Sequence, residues 1–424
     1  MPGGKRIYFG WWVVLVCFLL MAVTFPPMYT LVGQTVVPMA EEFGVNRTTA
    51  GLVVIAGFVG IMIGSPFAGR LNHRYGPRRM VSAALIGTSA CGVVIFFAPG
   101  IELVIALSVM RGLIFSLVGI VAVSIMVTAW FGKRLRGKAQ ALTMMGSGIG
   151  GIIISPILGK VIVELGWRYS YLMFAVLNIA ILPLVLIFFS RPSKDAAHTR
   201  LGDEVADGPP PDADSLPGLR WKQVLHSRMF WFSFCLIVVM GGANQTWNIN
   251  AAPFYEDLGI GRVQVGTLVA ITSLSMMASK FILGMVCDKL GARFAAMISI
   301  SSMFVGYGLA GIVSAMQAPY MAVFCAVLPA VWISMSTTVM PVMAAELYGP
   351  KEYGICVGYC QMGDALGGSL IPIFTTMLFD VTGSYTLTFS LCSAVAVLMM
   401  VILFVSYRLR QGDYEKLGLK PEAL

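Results

Sequence analysis

Three ionisable side chains stand inside long apolar stretches: Arg111 in "SVMRGLIF", Lys280 in "MASKFILG" and Asp364 in "QMGDALGG". The chain of 424 residues is 58% hydrophobic and only 12% charged, so these positions are conspicuous. A charge at the centre of a hydrocarbon layer costs at least ~2.5–3.5 kcal/mol, so it faces a cavity or a partner and marks a path for polar cargo. Lysine presents a compact point charge suited to a carboxylate. A buried aspartate takes up or releases a proton according to the charges beside it. The chemistry these residues suggest is binding and proton exchange. Lys280 is read as the ligand of a substrate carboxylate or as a standing partner of Asp364, and Asp364 as the proton-coupling group. Arg111 is open between substrate binding, proton coupling and a backbone carbonyl near the outer surface. Two deep cations and one anion leave a net +1, which favours one negative charge in the cargo.

The elements that must position these groups are apolar blocks, at roughly 10–36, 46–69, 80–99, 101–130, 139–164, 168–190, 227–252, 264–287, 294–316, 318–346, 353–379 and 384–407. Each is about 20 residues or more, enough to cross a ~30 Å core as a helix. The runs are continuous rather than alternating, which predicts helices and not a barrel. The fold class is therefore an all-α integral membrane protein with twelve transmembrane helices. The first block is too long for a removable signal peptide and lacks a small-residue cleavage site. With both termini on the same side, the loops of that side carry 23 of the 29 Lys and Arg. That asymmetry places both termini in the cytoplasm of a multi-pass cell (inner or plasma) membrane protein.

The chain repeats itself. "PMAEEFGVNRTTAG" from Pro38 matches "PFYEDLGIGRVQVG" from Pro253 at an offset of 215, which also lays "GRLNHRYGPRRM" from Gly69 over "GMVCDKLGARFA" from Gly284. Gly69 falls on Gly284, His73 on Asp288, Arg74 on Lys289, Gly76 on Gly291 and Arg78 on Arg293. Later the offset becomes 217, and "MGSGIGG" from Met145 matches "MGDALGG" from Met362. Lys280 and Asp364 have serines as repeat mates, Ser65 and Ser147, so the shared scaffold does not demand their charges. The organisation expected is a six-helix bundle over 1–190, a cytoplasmic linker over 191–226, a second bundle over 227–407 and a tail over 408–424. The linker, with "GPPPDADSLPG", has no periodicity and reads as largely disordered.

The two loops resemble the major facilitator superfamily motif, roughly G-x-x-x-D-R/K-x-G-R-R/K, which joins helices 2–3 and 8–9. The resemblance covers the whole chain and implies two six-helix bundles that expose a central site to each side in turn. It assigns Gly69, His73, Arg74, Gly76, Arg78, Gly284, Asp288, Lys289, Gly291 and Arg293 to conformational gating. His73 stands where the motif has Asp, and Pro77 where it has Arg, so a charge-based lock is asymmetric. "YFGWWVV" in helix 1 and "WFGKRLRGKAQAL" before helix 5 are similar to the monocarboxylate transporter and oxalate/formate antiporter branch. There helix 8 carries an arginine at the place Lys280 occupies by spacing. The antiporters carry a lysine in helix 11, where this chain has Asp364, which argues against oxalate. Animal lactate carriers use a helix-1 lysine that is absent here. Helices 1, 4, 7 and 10 line the cavity in that fold, which makes Tyr29, Asn244, Trp247, Asn248 and Trp332 lining candidates. Asn244, Trp247 and Asn248 share a face by i, i+3, i+4 spacing.

No GxxxxGK[ST] loop occurs, which excludes an ATP-driven pump, and His73, His198 and His226 lie in or beside loops, with no nucleophile or metal constellation around them. No CxxC spacing joins the eight cysteines. The expectation is a secondary transporter and not an enzyme, without cofactor, metal or nucleic-acid partner, acting as a monomer in the lipid bilayer. Its cargo is a small organic anion, a monocarboxylate moved with a proton. The alternatives are an organic anion exchanger and an exporter of hydrophobic cargo.

Overall fold

The computed structural model describes residues 8–29, 32–45, 47–132, 135–189 and 218–416. Among the described residues, twelve spans are long and apolar enough to cross a membrane: α1 Phe9–Tyr29, α2 Thr49–Tyr75, α3 Pro77–Phe96, α4 Ile101–Trp130, α5 Arg136–Glu164, α6 Trp167–Phe188, α7 Arg228–Ala251, α8 Thr267–Leu290, α9 Ala292–Met316, α10 Pro319–Tyr348, α11 Tyr353–Phe379 and α12 Tyr385–Glu415. Large apolar side chains cover the outside, with Val163 and Val381 both 85% exposed, as a lipid-facing surface requires.

Each half has its own core. In the first, Val13, Cys17 and Met21 of α1 pack with Val123 and Met126 of α4 and Val185 of α6. In the second, Trp247 of α7, Tyr307 of α9, Trp332 of α10 and Phe389 of α12 form one aromatic cluster, with centroid separations of 5.0–5.9 Å. The Tyr307 hydroxyl closes it by donating to the Ala243 carbonyl at 2.6 Å.

Several spans are interrupted, and each interruption has a local cause. In α1 the helix Phe9–Thr24 yields to a short turn Pro26–Tyr29, because Pro26 and Pro27 cannot donate to the preceding turn. In α4 the helix Ile101–Phe115 gives way before Ile120–Trp130, around Gly119. In α10 a five-residue π turn, Met335–Val339, sits between α-helical segments. The first block is shorter as a span than its sequence suggests: α1 ends at Tyr29, and a separate helix Val36–Phe43 follows.

The last block is longer. The helix starting at Tyr385 continues to Lys416, so the expected tail is partly an extension of α12. There Asp413 accepts from the Met229 backbone N–H at 3.0 Å and the Tyr414 hydroxyl donates to the Leu347 carbonyl at 3.0 Å. Most of the expected linker, 191–217, lies outside the described residues. Its end is ordered rather than disordered: Trp221–His226 is helical, and the Leu219 N–H donates to the Tyr348 carbonyl at 2.9 Å.

The halves meet along two seams, α2 against α11 and α5 against α8. On the face carrying both motif loops, glycines make the backbones touch. A Cβ on Gly69 would collide with the Gly354 carbonyl, and one on Gly284 with the Gly137 carbonyl and the Ala141 methyl. These four glycines are repeat mates, so the two contacts are copies of one another. Gly76 and Gly291 end α2 and α8 at φ 83° and 86°, conformations that glycine adopts without strain.

Candidate substrate site

Lys280 lies on the inward side of α8 and is 1% exposed. Its ammonium donates to Ser147 Oγ at 2.7 Å and to the Met144 carbonyl at 3.3 Å, both on α5 of the other half. It also stands 6.0 Å from the Phe25 ring centroid at the break in α1. Phe25 stacks on Tyr29, with ring centroids 4.1 Å apart and planes 2° from parallel. The Tyr29 hydroxyl accepts from Gln361 Nε2 at 2.9 Å. One turn further along α11, Asp364 lies within electrostatic range of that phenol.

Asp364 is buried and takes a hydrogen bond from Ser336 in the π turn of α10. Ser336 in turn accepts from Asn244 Nδ2 of α7 at 2.7 Å. Three acceptor oxygens here, Asn244 Oδ1, Gln361 Oε1 and Asp364 Oδ1, are buried without a partner among the described residues. The cluster has two poles joined by the Phe25–Tyr29 stack: a cation with spare donor capacity, and acceptors that lack donors. Among the described residues no ion pair joins Lys280 and Asp364; the carboxylate pairing recorded there is Arg168 with Glu42 at 2.8 Å. A standing Lys280–Asp364 partnership is therefore not how this conformation satisfies either group.

The sequence candidates separate accordingly. Lys280, Tyr29, Asn244 and Asp364 come together. Trp247 and Trp332 do not line the junction: they are 1% and 0% exposed inside the aromatic core of their own half. Asn248 is exposed and donates to Gln245 Oε1 at 2.9 Å. Arg111 is buried within the first half, its guanidinium 4.9 Å from the Tyr171 ring centroid. Phe25, Gln361 and the role of Ser147 went unread. Gln361 precedes Asp364 by three residues and Phe25 precedes Tyr29 by four, so helical spacing from the chosen residues reaches both.

The two motif loops are asymmetric. Asp288 accepts from the backbone N–H groups of Gly137 and Lys138 at 2.7 and 2.8 Å, capping the start of α5. Glu346 does the same for α9, accepting from the Ala292 N–H at 2.8 Å. His73, the mate of Asp288, is exposed, as are Arg74, Arg78 and Lys289. Arg293 lies over the Phe404 and Tyr407 rings. On the first seam Arg70 works instead, donating to the Tyr359 hydroxyl at 2.8 Å and stacking 4.1 Å from Trp221.

Two six-helix repeats packed around a buried, hydrogen-bonded charge cluster are the architecture of a membrane transporter. The chain belongs to the Major Facilitator Superfamily, whose sequence profile matches residues 12–254 and 238–422. It is 26% identical to the sialic acid transporter NanX of Escherichia coli K12 over 270 residues, 62% of each chain, so that match spans less than two thirds of the relative. It is 22% identical to monocarboxylate transporter 13 of Rattus norvegicus over 390 residues, 91% of this chain and 86% of the relative. The structure of the proton:xylose symporter XylE superimposes with a TM-score of 0.72 at 16% identity, covering 93% of this chain and 95% of that one, a likeness of fold.

Proposed function

We propose that this carrier moves a small organic monoanion, a monocarboxylate, by alternating access and together with a proton. The observation that carries the reading is Lys280: a buried ammonium whose partners are a neutral hydroxyl and a carbonyl across the seam. A substrate carboxylate replaces those neutral partners with an anionic one, which adds Coulombic attraction to the hydrogen bond. Binding then takes the lysine away from α5 and weakens the α5–α8 seam, so cargo and conformation are linked.

Charge arithmetic supports the proton. Empty, Lys280 and Asp364 sum to zero; a monoanion makes the junction −1, and a proton on the unpartnered Oδ1 of Asp364 restores zero. A neutral junction reorients through the membrane interior at the least electrostatic cost. The unpartnered acceptors favour cargo with hydroxyl donors, and both sialic acid and monocarboxylates, the cargo named for two relatives, carry a carboxylate. The positive loops support a topology with both termini in the cytoplasm.

The test uses purified protein in liposomes loaded with a pH-sensitive dye, under inward gradients of lactate, pyruvate, formate, oxalate and sialic acid. The expected result is internal acidification with at least one monocarboxylate, slowed at least about tenfold in Lys280→Ala by loss of ~1.5–3 kcal/mol of charged bonding. Asp364→Asn is expected to keep substrate exchange while losing its pH dependence. Absence of both acidification and counterflow for every carboxylate sinks the proposal.

A further inference from the structure

We propose that Arg111 holds a small inorganic anion, chloride in solution, at a site inside the first repeat and apart from the central cluster. Arg111 is 7% exposed inside a membrane span and brings a guanidinium with five N–H donors and no acceptor. Among the described residues its recorded partner is the face of Tyr171, and no carboxylate pairs with it. A ring quadrupole offsets part of a buried positive charge and leaves the rest uncompensated.

The space beside it is built for something small. Arg111 borders a cavity of about 20 Å³ with Thr24 and Pro27 of α1, Thr88 of α3, Phe115 of α4, and Phe174 and Asn178 of α6. One water-sized sphere needs roughly 10–15 Å³, so a halide enters and a substituted carboxylate does not. The lining hydroxyls of Thr24 and Thr88 donate to the Leu20 and Ala84 carbonyls, so the donor left over among the lining side chains, besides the guanidinium, is an amide N–H. Asn178 Nδ2 donates one hydrogen to Thr88 Oγ1 at 3.3 Å, which leaves the second N–H of that amide available. Outside the lining, the hydroxyls of Tyr171, which stacks on the guanidinium, and of Ser108, one turn before Arg111, are buried without partners among the described residues. The central cluster has spare acceptors, whereas this pocket has a cation and a spare amide N–H. A water molecule would satisfy the donors and leave the charge; an anion satisfies both.

The position gives the anion a role. Thr24 and Pro27 belong to the interrupted stretch of α1 whose Phe25 and Tyr29 join the poles of the central cluster. An anion on Arg111 braces one side of that stretch while the cargo contacts the other. This inference does not rest on the identity of the cargo.

The test is thermal unfolding of the purified protein in chloride against methanesulfonate, which is too large for the pocket, at equal pH and ionic strength. Chloride is expected to raise the wild-type midpoint saturably by a few degrees, as a ligand of the folded state does. Arg111→Gln should lose that response, while Lys160→Gln, which removes an exposed cation, should keep it. A wild-type midpoint indifferent to chloride, or an Arg111→Gln protein that responds like wild type, overturns the proposal. Should Arg111→Gln fail to fold, wild-type crystals in bromide decide: an anomalous peak against the guanidinium supports the site, and its absence overturns it.

Discussion

Where α8 meets α5, the repeat places a lysine opposite a serine; at the corresponding positions of α2 and α11 it places a serine and an aspartate. Lys280 reaches across its seam to Ser147. Ser65 bonds back to the Ile61 carbonyl of its own helix, and Asp364 turns to Ser336 in its own half. The same scaffold thus carries a cation at one seam and an anion at the other. Packing is preserved, since the touching glycines are present in both seams, and only the electrostatics have diverged. Symmetry in this molecule belongs to the glycines that bring the backbones together, and asymmetry to the buried charges.

The comparison can be broken most severely at the shared glycines. Gly69→Val drives a side chain into the Gly354 backbone, so the α2–α11 seam should fail to close and transport should vanish. A pulsed-EPR distance between labels at 75 and 351 is expected to lengthen. Asp288→Asn acts on one seam only. Weakening two charge-assisted bonds costs up to ~1.5–3 kcal/mol, so the α5–α8 end should open while the 75–351 distance is unchanged. Equal opening of both seams would show that they move as one. His73→Asp tests the reverse: it gives the first seam the missing cap, worth ~0.5–2 kcal/mol, and should slow turnover by favouring the closed motif face. The smallest effect is expected from Ser147→Ala, which removes one hydrogen bond competing for Lys280. Carboxylate affinity, measured by calorimetry, should rise by a factor set by ~0.5–1.5 kcal/mol.

Much of this was legible in the chain. Span length and charge asymmetry depend on the membrane alone, so the twelve helices and their repeat follow from composition and offset. The repeat was also the best guide to the site, because Lys280 and Asp364 are charged where their mates are serines. The inward faces were harder to read. In a helix surrounded by lipid, apolar residues point both to the core and to the outside, so periodicity does not separate the two. Trp247 illustrates this: it lies three residues from Asn244, yet it packs against Tyr307 and Trp332 while Asn244 reaches Ser336. Arg111 stayed open between several roles for another reason, since nothing in the sequence near it announces Tyr171, 60 positions away, as its neighbour.

The π turn of α10 sets the phase of everything beyond it. Each residue advances an α-helix by roughly 100°, so one residue accommodated in a wider turn rotates the rest of the span by about that angle. Trp332, before the turn, points into the aromatic core, and Ser336, within it, points to Asn244 and Asp364. Deleting one residue between Met335 and Val339 would keep the span long enough to cross the membrane and turn Ser336 away from both. In the history of a duplicated gene, a change of length at that spot is a switch of bearing: it re-aims half a helix while the ends stay where they were.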